Sequence, residues 1–129
     1  AVVVQAKEAA ISKVKPGVKI GAVHAAAAEV LVEGLKEIKI LKGNTKALLK
    51  KKAYRPFFMH GIGHSLGLDT HDVGLYGASN VVLKPGMVIT IEPGLYFPKK
   101  TGRVPACGFR EEDDVLVTSK GAKILSDFI

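Results

Sequence analysis

"FFMHGIGHSLGLDTHDVG", residues 57–74, holds three of the chain's four histidines and two aspartates among four glycines. On a helix His60 and His64 would share a face at i and i+4, but Gly61 and Gly63 lie between them and Gly67 follows. Glycine is costly inside a helix and useful where backbone must pass close to something, so a tight loop or irregular strand presenting imidazoles is expected. No glutamate follows His60, and the H-E-x-x-H pattern of helical zinc peptidases is therefore absent.

The chain before this stretch reads differently from the chain after it. Residues 1–13 and 20–38 are rich in helix formers, and the second run places Val23, Ala27, Val30, Leu31 and Leu35 along one helical stripe. "VKPGVKI" between them and "LKPGMVI" at 83–89 both offer Pro-Gly as the central pair of a type II turn. Ala47 to Lys52 reads as a short basic helix that stops before Pro56. Beyond the histidines, "MVITIE" (87–92) and "FREEDDVLVT" (109–118) read as two strands. Helices first and strands afterwards predict an α+β domain.

Two acids are oddly placed in those strands. Glu92 ends an apolar strand, and Glu112 sits within Arg110-Glu111-Glu112-Asp113-Asp114. Alternation puts Arg110, Glu112 and Asp114 on one face and Glu111 and Asp113 on the other, so both faces carry acid. Burying a carboxylate without a cation costs several kcal/mol or more, a penalty that a divalent metal removes. Imidazole mixed with carboxylate suits Mn, Fe, Co or Zn, and bridging carboxylates suit a pair of such ions.

Composition narrows the class. The 129 residues are 47% hydrophobic and 24% charged, with no apolar run long enough for a membrane span. A single cysteine, Cys107, cannot close an internal disulfide, and no signal peptide opens the sequence, so a cytoplasmic setting is expected. Net charge is +7, with Lys46, Lys50, Lys51, Lys52 and Arg55 gathered before the histidines. No aromatic residues interleave the lysines, which argues for a solvated basic face rather than a nucleic-acid surface.

"HGIGHSLGLDTHDVG", "LKPGMVITIEPGLYF" and "GFREEDDVLVT", in that order, resemble the C-terminal part of the pita-bread metallopeptidases, most closely the branch of Xaa-Pro aminopeptidases and prolidases. The resemblance runs from the first helix to the last strand. It implies that residues 1–129 are the second half of a pita-bread catalytic domain, with helices followed by a curved antiparallel sheet. It further implies two divalent ions, Mn first among Mn, Co, Zn and Fe, with His64, Glu92 and Glu112 as ligands. His71 matches a histidine that hydrogen-bonds the substrate carbonyl, His60 one that lines the substrate pocket, and Arg110 and Tyr96 supporting positions. Catalysis would be attack on the peptide carbonyl by water activated between the ions, with Glu92 accepting its proton.

The family's site also takes two aspartates from a hairpin that precedes the first helix, and Asp69 and Asp72 cannot replace them because they belong to the histidine block. The 129 residues thus hold three of five expected ligands and are expected to be inactive alone. The implied activity is removal of an N-terminal residue that precedes proline. The alternatives are an Xaa-Pro dipeptidase (prolidase) or a non-catalytic half-domain that binds a partner. A sheet edge left open by absent strands would favour a homo-oligomer.

Overall fold

Both Lys-Pro-Gly stretches form the expected turns. The Lys15 carbonyl accepts from Val18 N–H (3.3 Å) and the Lys84 carbonyl from Met87 N–H (3.2 Å). Gly17 and Gly86 take φ of 87° and 89°, the left-handed value required at the third position of a type II turn. The turns are tied together, since Gly17 N–H donates to the Leu83 carbonyl (2.9 Å) and Leu83 N–H to that of Val18 (2.8 Å). The entries to the second helix and to the first strand are thereby fixed to one another.

The computed structural model describes residues 1–69 and 79–127. Helix α1 (Val2–Lys13) buries Val3, Ala6 and Ala10, one face at helical spacing. Helix α2 (Ile20–Glu37) buries Val23, Ala27, Leu31 and Leu35 as the stripe implied, with Val32 taking the deep place and Val30 only partly covered. Gly34 of α2 lies under Val2, so the start of α1 can approach closely. Helix α3 (Thr45–Lys50) begins two residues before the basic segment that announced it, because Asn44 caps it: its Oδ1 accepts Ala47 N–H (3.2 Å).

Among the described residues five strands follow: β1 (Val88–Ile91), β2 (Gly94–Phe97), β3 (Cys107–Arg110), β4 (Asp113–Val117) and β5 (Ala122–Ile124). They form a three-stranded sheet in the order β1-β4-β5 and a two-stranded sheet, β2-β3, all antiparallel. This corrects the reading of residues 109–118 as one strand. The run breaks at Glu111-Glu112 and passes from one sheet into the other, just as β1 passes into β2 across Glu92-Pro93. Ile89 of β1 lies across from Val115 of β4, and Ile89, Ile91, Val115 and Val117 are all buried in one core with Val23, Leu31, Leu35 and Phe58. The other face of β1 is left for polar work.

Candidate metal centre

One strand sets the geometry. Ile89 and Ile91 point into the core, so Thr90 and Glu92 point the other way. Residues 62–66 run alongside as the irregular strand that their glycines implied. Glu92 N–H donates to the Ile62 carbonyl (2.7 Å), Thr90 N–H to that of His64 (2.8 Å), and Leu66 N–H to that of Val88 (3.1 Å). Gly63 makes this approach possible, because a Cβ there would collide with the Thr90 carbonyl.

Thr90, 1% exposed, holds two candidate ligands at once. Its Oγ1 accepts the backbone N–H of His64 (3.0 Å) and donates to Glu92 Oε1 (3.0 Å). The imidazole of His64 is oriented from its other side: Nδ1 lies 3.0 Å from the Ser65 carbonyl oxygen. That oxygen can only accept, so Nδ1 carries a proton and Nε2 presents its lone pair. Nε2 is 3.3 Å from Glu92 Oε1, with the two side chains 11% and 13% exposed. Two acceptors so close need a cation, either a second ring proton or a metal ion. Arg110 adds positive charge at longer range, its Nη1 3.8 Å from Glu92 Oε2.

Glu112 completes the group. Donor atoms of His64, Glu92 and Glu112 all lie within 4.8 Å of one another, although they come from three separate segments. One imidazole and two carboxylates in that space fit a divalent ion by donor chemistry and charge. His64 and Glu92, their side chains mostly covered, lie inside and Glu112 is exposed at the rim.

His60, four residues before His64, is held at both nitrogens. Nδ1 is 2.7 Å from the Gly61 carbonyl oxygen and Nε2 2.8 Å from the Tyr96 hydroxyl. The ring packs edge-on against Phe58 and Tyr96. Tyr96 reaches it by lying across two glycines: a Cβ at Gly94 would be 2.6 Å from the phenol oxygen, and one at Gly108, its cross-strand partner, 3.0 Å from the ring. The structure therefore brings His64, Glu92, Arg110 and Glu112 together, and it pairs His60 with Tyr96. His71 lies outside the described residues.

The expected division of acids between two faces is kept across the strand break. Arg110 and Glu112 turn to Glu92, whereas Lys7 of α1 meets Asp113 (2.7 Å) and Glu111 (3.6 Å) on the opposite side. Asp113 also accepts from the Ser126 hydroxyl (2.6 Å). Bonding to Lys7 and Ser126 outweighs the desolvation that opposes it and holds the Asp113 carboxyl below its ordinary range. Gly63 was singled out from the sequence as a place of close backbone approach; Lys7 and Thr90 were not. A threonine inside "VITIE" was a readable signal; a lysine on an alanine-rich helix was not.

An α+β chain with antiparallel strands and a His-Glu-Glu donor set defines half of a pita-bread metallohydrolase fold. The profile of Metallopeptidase family M24 matches residues 1–119, and the chain belongs to that family. The Xaa-Pro aminopeptidase of Escherichia coli K12 is 42% identical over 97% of this chain, which covers 29% of that protein. Xaa-Pro aminopeptidase 1 of Streptomyces coelicolor is 41% identical over 96%, covering 27%. Among solved structures, E. coli aminopeptidase P with the inhibitor Pro-Leu aligns at a TM-score of 0.87 and 41% identity over 98% of this chain and 30% of its own. Proline aminopeptidase P II from Yersinia pestis aligns equally well, at a TM-score of 0.87 and 41% identity. The chain spans less than a third of the length of these relatives.

Proposed function

We propose that residues 1–129 are the C-terminal half of the catalytic domain of a metal-dependent Xaa-Pro aminopeptidase, which releases an N-terminal residue preceding proline. The observation that carries this reading is the convergence of His64, Glu92 and Glu112 donor atoms in a chain of family M24. Two aspartates on an upstream hairpin would complete a two-ion site, and Mn is the first choice of metal. A divalent ion held there polarises a carbonyl and lowers the pKa of water.

The chain's own residues would divide the remaining work. Glu92, anchored by Thr90 and steadied by Arg110, takes the proton released as water attacks. His60, fixed by Gly61 and Tyr96, forms a rigid wall beside the substrate, and His71 by resemblance bonds the carbonyl. Among the described residues no helix is long and apolar enough to cross a membrane. With one cysteine, the reducing cytoplasm is the setting we propose.

The test is hydrolysis of Ala-Pro-Ala and Ala-Pro by the product of the full reading frame, with and without Mn²⁺. Metal-dependent release of alanine from the tripeptide supports the proposal. Cleavage of the dipeptide alone would assign a prolidase. No cleavage despite bound metal would leave a binding module.

A further inference from the structure

A cavity of about 470 Å³ opens on the α2 side of the histidine segment. Ile20, Met59, Ile62 and the Tyr54 ring give it apolar walls, and His24, Ser79, Lys52 and Arg55 supply polar groups. No carboxylate stands among the described residues that line it. Lys52 and Arg55 are exposed, and among the described residues neither forms an ion pair. Their charge is felt inside: burial first, then Arg55, His60 and Lys52, lower the pKa of His24 to about 4. His24 is also confined sterically, stacked on Phe58 with ring centroids 5.0 Å apart and 3.3 Å from the Tyr54 hydroxyl.

Positive charge without an acidic partner among the described residues, at the mouth of a concave, partly apolar site, concentrates anions. The volume falls in the range of small-molecule sites and far exceeds that of a bare ion. We propose that this cavity binds a small organic anion, a carboxylate or phosphate ester with an apolar body, through Lys52 and Arg55 with His24 and Tyr54 at its floor. The cavity shares Gly61, Ile62 and Gly63 with the segment that carries His64. Ile62 in turn accepts the Glu92 backbone N–H, so an occupant would touch the support of two candidate ligands. The site is separate from the donor group itself and does not depend on the chain being a peptidase.

Three probes test it by ring and backbone NMR titration of the chain at pH 7: benzoate, benzamide and inorganic phosphate. Benzoate should shift the signals of His24, Tyr54 and Ile62 saturably and raise the titration midpoint of the His24 ring. Benzamide, the neutral counterpart, should bind at least tenfold more weakly. The variant Lys52→Asn with Arg55→Gln should lose at least tenfold in benzoate affinity. Asparagine tolerates the positive φ of 52° at position 52, and both residues are exposed, so folding should be spared. Phosphate binding in competition with benzoate would identify a phosphate-bearing ligand; benzoate binding without phosphate would identify a carboxylate. Equal binding of benzamide, an unaltered affinity in the double variant, or no shift with either anion would each overturn the proposal.

Discussion

Glu92 and Glu112 sit directly across from one another in an antiparallel register that runs without insertion from Val88↔Leu116 to Phe97↔Cys107. Ile91 pairs with Asp113 and Gly94 with Arg110, so Glu92-Pro93 and Glu111-Glu112 face each other where the ladder lapses. Pro93 has no N–H to give, and the Glu111 N–H to Pro93 carbonyl bond (3.2 Å) is what remains there. Like charges opposite one another weaken a strand pair. The hairpin thus carries, at its own weakest step, a repulsion that a cation turns into an attraction.

Glu112→Gln separates those two effects. Removing one charge should leave the metal-free chain as stable as before or better by about 0.5 kcal/mol. Affinity for Mn²⁺ should fall by about 10- to 100-fold, because the remaining donors are His64 and Glu92. Calorimetric titration with Mn²⁺ and a thermal melt without metal measure the two; an unchanged affinity would remove Glu112 from the site.

Thr90→Val keeps the shape and deletes the hydroxyl that joins His64 to Glu92. The His64 N–H is then left without its acceptor in a covered place, at a cost of about 1–3 kcal/mol. Glu92 also loses its anchor, so metal affinity should drop along with the melting temperature. Thr90→Ser retains the hydroxyl and should recover most of the affinity. Loss of affinity in both variants to the same degree would mean that packing, not the hydroxyl, is what matters.

The legible parts of this molecule were those written in residue type. Glycines among histidines announced irregular backbone, and residues 62–66 proved to be a glycine-dependent partner of β1. An acid at the end of an apolar strand and another in an acidic run marked Glu92 and Glu112. Strand β2 was not legible, because Pro93-Gly94 reads as a stop. Proline there interrupts hydrogen bonding for one step, yet the register resumes at Gly94. The break between β3 and β4 was hidden for a related reason: side-chain alternation survives it, so sequence pattern alone shows one strand. Lys7 could be found only in three dimensions, since its partners lie more than a hundred residues away.

Lys7→Met tests that distant contact. Lys7 bridges Glu111 and Asp113, the two neighbours of Glu112, and its side chain is 15% exposed with Asp113 17% exposed. Losing the cation strands a mostly covered carboxylate, for which about 1–3 kcal/mol is expected, between the values for surface and buried pairs. Lys7→Arg should restore part of it, as the charge is kept while the reach differs. Chemical denaturation of the three chains checks this. A Met variant as stable as the parent would show that Ser126 alone suffices to hold Asp113.

His24 should make the fold sensitive to mild acid. Burial, then Arg55, His60 and Lys52, lower its pKa to about 4 from an unfolded value of 6.5. Between those values the unfolded chain binds a proton and the folded chain does not, so stability is full above pH 6.5 and falls as pH drops toward 4. The shift sets an upper limit of about 3 kcal/mol on the loss. The Tyr54 hydroxyl, its own pKa raised by burial, stays neutral throughout this range and cannot offset the effect. His24→Phe keeps the stacking on Phe58 and gives up only the bond to Tyr54. Urea melts of both chains at intervals from pH 7 to pH 4 should show the parent weakening more steeply than the Phe variant. Parallel curves would mean that His24 takes up its proton in the folded state after all, with the ring or its neighbours moving to admit water.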